Sequence, residues 1–378
     1  MALSLALLAS SPSAFAQTSA ALRIACDGEN AGATISINDV VKGDCPVDVS
    51  VAPGNIRLRA SKKVNEAQER VFEREFTMAA GTGKRVDVEL GEPRASLAAL
   101  KRIDDEVEAD ARPKEEEQLR ALPALIKKAE GGDSAAMLRA GQVYEWGLAG
   151  NVDFKQAAKW YERAARAENP AGMSAYATYL SSYHSMGGVS RNPSEAIAMW
   201  EKAAARGDGS AMNRLGFLRL FGSDVMGVPE NREQAKIWFE KGANAGNYEA
   251  MNALVSWKLT SDKAARDQLN KMSYPIMESL AFEGYPIAIK SLALEYEWGV
   301  LVAMNPERAR KLYAQYLRYA KKAAASGDLN SVLMLASMYE EGKSGAPKDK
   351  AVAVQLARKA AEQGDKDANT YLQKLLAP

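Results

Sequence analysis

The sequence predicts a mainly α-helical protein, a helix-turn-helix α-solenoid with a small antiparallel β-sandwich module at its amino-terminal end. Two observations carry that prediction. From residue 133 to residue 365 a pattern of small, apolar and glycine positions recurs every 36 to 43 residues, the period of stacked helix pairs. From Leu22 to Leu90 apolar and polar residues alternate, the period of half-buried strands. A third observation bounds the chemistry. Of 378 residues one is His and two are Cys, and 49 Lys plus Arg nearly cancel 48 Asp plus Glu. A His/Cys zinc site needs three or four ligands, whereas His184, Cys26 and Cys45 lie far apart in the chain. A net charge of +1 exerts no overall pull on nucleic acid or anionic membrane. The expectation is a protein that is no enzyme, with no catalytic residue, cofactor, metal or nucleic-acid partner.

At the amino terminus, the apolar run Leu3 to Ala9 is broken by Ser10-Ser11-Pro12 and followed by Ala14-Phe15-Ala16. That layout predicts a secretory signal peptide over residues 1–16, cut before Gln17. No basic residue precedes the apolar run, and an amino-terminal helix of the mature fold is the competing reading. No later stretch approaches the ~20 apolar residues that span a bilayer. The expected location is therefore outside the cytoplasm, periplasmic or secreted, in a bacterial-type cell. Cys26 and Cys45 are an even pair in an exported segment and read as a disulfide, two separate buried thiols being the alternative.

Residues 17–91 form the expected β module. Thr34 to Asn38, Val47 to Val51, Ile56 to Ala60 and Val86 to Leu90 alternate. Asn38-Asp39, Lys42-Gly43-Asp44, Pro53-Gly54-Asn55 and Gly81-Thr82-Gly83 supply turns. Ile35-Ser36-Ile37-Asn38, Gly43-Asp44-Cys45-Pro46-Val47 and Val51-Ala52-Pro53-Gly54 resemble the PEGA family of extracytoplasmic β modules over about forty residues. The resemblance implies an accessory surface module. Gly81-Thr82-Gly83-Lys84 imitates the end of a phosphate loop, but Met78 and Arg85 stand where the first Gly and the final Ser or Thr belong. It reads as a hairpin turn.

A helical connector is expected over 92–131, with Leu97, Leu100, Ile103 and Val107 at helical spacing and Pro113 and Pro123 interrupting the run. Lys114-Glu115-Glu116-Glu117 reads as a solvated face.

Residues 132–378 carry the repeats. Units aligned on Asp133, Asn169, Asp208, Asn247, Tyr285 and Asp328 have small residues three positions on (Ala136, Gly172, Ala211, Ala250, Ala288, Ser331) and apolar residues four positions on. Offsets 3, 4, 7 and 8 trace one helix face. A Gly-bearing loop and a second helix follow, with a small pair such as Ala164-Ala165 or Ala203-Ala204. Gly-Asp and Gly-Asn junctions, including Gly364-Asp365, stop one helix and cap the next. Tyr144-Glu145-Trp146-Gly147 with Ala157 through Ala165, and Tyr339-Glu340-Glu341-Gly342, resemble Sel1-like repeats, a tetratricopeptide-related family, over about 132–364. The resemblance implies a right-handed superhelix that binds other proteins.

Two units depart from the pattern. The fourth has no Gly-rich loop after Trp257 and carries Pro275, where a kink or break is expected. The fifth has about seven extra residues, predicting a long helix that projects beyond its neighbours. Tyr316, Arg318 and Tyr319 on it are the candidate protein-binding residues, with packing against the fourth repeat as the alternative. Asn369 to Leu376 are the expected terminal cap. The functional expectation is an exported scaffold or adaptor that binds other envelope proteins, within a multi-subunit assembly. Binding of peptidoglycan or glycan is the alternative. A hydrolase related to β-lactamases is less favoured, because the repeats lack the regular Cys pairs of such proteins and His184 has no evident orienting partner.

Overall fold

The structure is a computed structural model that describes residues 19–182, 185–363 and 366–377. The expected signal peptide, His184 and the Gly364-Asp365 junction lie outside the described residues. The chain divides into two compact units, one ending at Arg102 and one starting at Ile103.

The first unit is a β-sandwich. Strands β1 (Ala20–Ala25), β4 (Val47–Val51) and β7 (Gly83–Asp87) form one sheet in the order β4-β1-β7. Strands β2 (Thr34–Ile37), β3 (Val40–Asp44), β5 (Gly54–Lys63), β6 (Gln68–Met78) and β8 (Arg94–Ala95) form the other, in the order β3-β2-β5-β6-β8. Leu22 and Ile24 from one sheet and Ile35, Ile56 and Leu58 from the other meet in a single core, as alternation requires. Pairing is antiparallel throughout except between β1 and β7, which run parallel. Gly81-Thr82-Gly83 is consequently not a hairpin turn. It carries the chain from β6 in one sheet to β7 in the other. Lys42-Gly43-Asp44 belongs to β3 rather than to a turn, and the register shift between Ile35 and Ser36 takes up Lys42 as the extra residue while Gly43 pairs with Ile35. Cys26 and Cys45 are bonded and buried against this core.

The helix α1 (Leu97–Glu130) runs without interruption through Pro113 and Pro123. A proline removes one backbone hydrogen bond and strains the preceding turn. Here tertiary contacts on both sides hold the helix. Ile103 and Val107 pack on Ala314, while Leu125, Ile126 and Ala129 pack on the first repeat.

Six helix pairs follow among the described residues. The first helices are α2 (Ser134–Trp146), α4 (Pro170–Ser181), α6 (Gly209–Phe221), α8 (Tyr248–Ser256), α10 (Pro286–Trp298) and α12 (Leu329–Glu341). The second helices are α3 (Phe154–Arg166), α5 (Pro193–Ala205), α7 (Arg232–Asn244), α9 (Lys263–Phe282), α11 (Pro306–Ala325) and α13 (Lys350–Ala361), and α14 (Lys366–Leu376) packs on the last pair. Asp133, Asn169, Asp208, Asn247 and Asp328 cap the first helices with side-chain hydrogen bonds to backbone N–H groups, as the junction pattern predicts. Gly147 and Gly342 end α2 and α12 in the left-handed conformation, where a side chain would be strained and a Cβ would press on the returning loop. Gly216 has a different role. A Cβ there would sit 2.6 Å from the Phe239 ring, so only glycine lets α7 close onto α6.

The irregular units differ from expectation. α9 continues through Pro275 without a break, and the loop before it uses Lys258 at φ 52° where other units use glycine. The extra turns of α11 do not project. Ala320 and Ala323 are fully buried, and Ala323 packs with Tyr161 and Tyr179 of the first two repeats. Ala323 and Ala324 are the small pair that the extra residues set two turns later than in the other units, and both are buried.

Candidate functional site

Because each first helix buries one face between neighbours, its other exposed side is shared along the inner wall of the stack. First helices of all six repeats line one cavity of about 510 Å³, joined by residues of α3, α9 and α11. That volume lies within the usual range for ligand sites.

Its walls are of two kinds. Aromatic rings come from Trp146, Tyr285, Tyr316 and Tyr319, with Trp146 and Tyr285 in contact at a 57° tilt, 4.8 Å between centroids. Charge comes from Glu145, Asp208 and Glu249 against one cation, Arg214. Glu145 accepts from the hydroxyls of Tyr161 at 2.7 Å and Tyr179 at 3.2 Å. Glu249 accepts from the Asn213 amide at 2.9 Å and from the hydroxyls of Tyr248 and Tyr285 at 3.4 Å each. Asp208 caps α6 through the N–H of Ala211. Burial pushes the Glu145 carboxyl up from its ordinary range, and the tyrosine hydrogen bonds only partly oppose this. Asp208 is raised by burial in the same way.

The three candidate residues divide. Tyr316 is only 7% exposed; its hydroxyl reaches the Met334 sulfur at 3.4 Å, and Lys290 sits over its ring. Tyr319 lines the same cavity wall, and its ring lies 6.3 Å from that of Tyr316. Arg318 is already occupied. Its guanidinium donates to Glu108 at 2.6 Å and Glu115 at 2.5 Å, both on α1. Lys322 completes the contact by pairing with Glu115 and donating to the Gly150 carbonyl at 2.6 Å, which ties α1, α11 and the first repeat's loop together. Glu115 therefore does not belong to a solvated face. Burial opposes its ionisation, yet the hydrogen bonds from Arg318 and Lys322 hold the carboxyl below the usual range.

The carboxylates were not singled out by sequence reasoning, although a signal existed. Glu145 and Tyr161 are sixteen residues apart and bonded; Glu297 and Tyr313 repeat that spacing and that bond at 2.5 Å. The recurring pair is visible in the sequence, but its surroundings differ, since the Glu297 pair is exposed whereas Glu145 lines the cavity. Among the described residues, no group of three or more His, Cys, Asp and Glu side chains is placed to hold a metal ion.

The Sel1 repeat family model matches residues 134–169, 171–208, 209–247, 286–315 and 330–365. Five of the six helix pairs match Sel1 repeats. The gap in the match, 248–285, is the unit with the short α8 and the proline-bearing α9. Sel1 repeats generally mediate protein–protein interaction. Among solved structures, the chain is similar to a protective antigen of uropathogenic Escherichia coli strains displaying an SLR fold, at 22% identity. That match covers 72% of this chain and 66% of the antigen, with a TM-score of 0.34. A Sel1 repeat protein from Oxalobacter formigenes is 25% identical, covering 69% and 99% of the two chains, TM-score 0.34. One from Klebsiella pneumoniae is 20% identical, covering 58% and 99%, TM-score 0.29. Comparison with curated proteins finds no match.

Proposed function

We propose that the chain is an exported scaffold whose Sel1 solenoid holds a segment of another envelope protein in its central cavity, with the β-sandwich, which resembles PEGA modules, as a second contact surface. The observation that carries the reading is the cavity itself, one continuous space to which every repeat contributes. Tyr316 and Tyr319 take part as its wall, and Arg318 acts through α1 by fixing the helix that bears them. Export is supported by the bonded Cys26 and Cys45, a pairing favoured in oxidising compartments. Among the described residues no helix is long and apolar enough to cross a membrane.

Pull-down from envelope extract, run beside sedimentation with purified cell wall, tests the reading. Recovery of a defined protein partner, lost when Ser210→Trp fills the cavity, supports it. Sedimentation with cell wall and no cavity-dependent partner would instead favour glycan binding, for which the 66% exposed Trp298 offers a surface ring.

A further inference from the structure

We propose that the central cavity recognises a lysine or arginine side chain, presented by an extended segment of the bound protein. The inference rests on the reading that a protein segment occupies this cavity, and it adds the chemistry that selects the segment.

Charge and shape point the same way. Three carboxylates, Glu145, Asp208 and Glu249, face the space with one cation, Arg214, so the lining carries surplus negative charge. Their hydrogen-bond partners are tyrosine hydroxyls, a side-chain amide and backbone N–H groups, all of them neutral. No ion pair within 4.0 Å joins the three to a Lys or Arg among the described residues. Part-buried carboxylates hydrogen-bonded only to neutral groups, with Arg214 as the one cavity cation acting on Glu145, gain from an incoming cation, which offsets the remaining charge where water is scarce. Each carboxylate also has a local reason for its position: Asp208 caps α6, Glu249 stands in the first turn of α8, and Glu145 belongs to the recurring Glu–Tyr pair. Those reasons explain why the residues are there. They leave the shared charge unbalanced.

The remaining wall suits the same ligand. Trp146, Tyr285 and Tyr319 offer ring faces, which attract ammonium and guanidinium groups and cover an aliphatic stem. An anion would meet the surplus carboxylates. It would also find four of the helix starts around the cavity already capped, by Asn169, Asp208, Asn247 and Asp328 on α4, α6, α8 and α12; at α10, which has no side-chain cap, Pro286 removes one of the free N–H groups. A wholly apolar segment would cover the carboxylates and give them nothing.

The test uses three capped pentapeptides that differ only at the centre, carrying lysine, norleucine or glutamate, titrated into the full chain by calorimetry. The lysine peptide should bind at least about tenfold more tightly than the other two, with affinity falling as salt rises. Ile287 supplies a variant that spares the fold, because it lines the cavity yet is 43% exposed. Ile287→Lys places a cation of the protein's own at the rim and should weaken the lysine peptide about tenfold, while Ile287→Glu should retain or strengthen it. Circular dichroism and melting temperature of both variants should match the parent. Equal affinity for the three peptides, no binding of any, or indifference to Ile287→Lys would each overturn the proposal. A partner still lost from pull-down on filling the cavity would then show that the scaffold reading survives without it.

Discussion

At the residue scale, the repeat is a rule about how much space each position is allowed. Ala at the third offset is fully buried in α6, α8 and α10, because a larger side chain would separate neighbouring helices. Gly216 is the sharpest case, with the Phe239 ring filling the volume a methyl group would need. Gly216→Ala is expected to destabilise the solenoid by about 1–3 kcal/mol despite the better helix propensity of alanine. Urea unfolding of the variant checks this, and a Phe239→Leu partner should recover part of the loss. These positions were legible in the sequence because small residues recur in phase. Glu145 was not. A single glutamate inside Tyr144-Glu145-Trp146-Gly147 looks like loop punctuation until the sixteen-residue link to Tyr161 is traced in space.

At the element scale, sequence periodicity located the helices, whereas proline misled about their ends. Pro113, Pro123 and Pro275 all lie inside continuous helices, since packing on both flanks outweighs one missing hydrogen bond. Nor could local pattern show where the long α11 goes, because its direction depends on α1, some two hundred residues earlier in the chain. The contact is electrostatic. Lys311 pairs with Glu106 at 2.9 Å, Arg318 with Glu108 and Glu115, and Lys322 with Glu115. Arg318→Ala should cost about 2 kcal/mol, the scale of hydrogen bonds to a charged group, because it leaves Glu115 half-buried with Lys322 alone. The sign of the pH effect follows from the depressed carboxyls. Arg318 holds Glu108 low, and Arg318 with Lys322 holds Glu115 low against burial. Their contribution is complete above the unfolded value of about 4.3 and lost as pH falls through the lower folded values. The melting-temperature gap between parent and Glu115→Gln should therefore be full at pH 7 and shrink below about pH 4.

At the scale of the whole molecule, two compact units with separate cores lie in one chain. The disulfide belongs to the first alone and closes a loop of nineteen residues' separation. Its loss should destabilise the sandwich by about 3 kcal/mol by the chain-entropy relation. Calorimetry with reductant should move one transition and leave the solenoid's unchanged; movement of both would mean that the units unfold together. The scaffold account itself depends on where a partner sits. A photo-crosslinking residue at Ile287, on the cavity wall, compared with one at the exposed Lys159 on α3, reads that position directly in intact envelopes. The account predicts a discrete covalent adduct from position 287 and none from position 159. Adducts from 159 with none from 287 would contradict it.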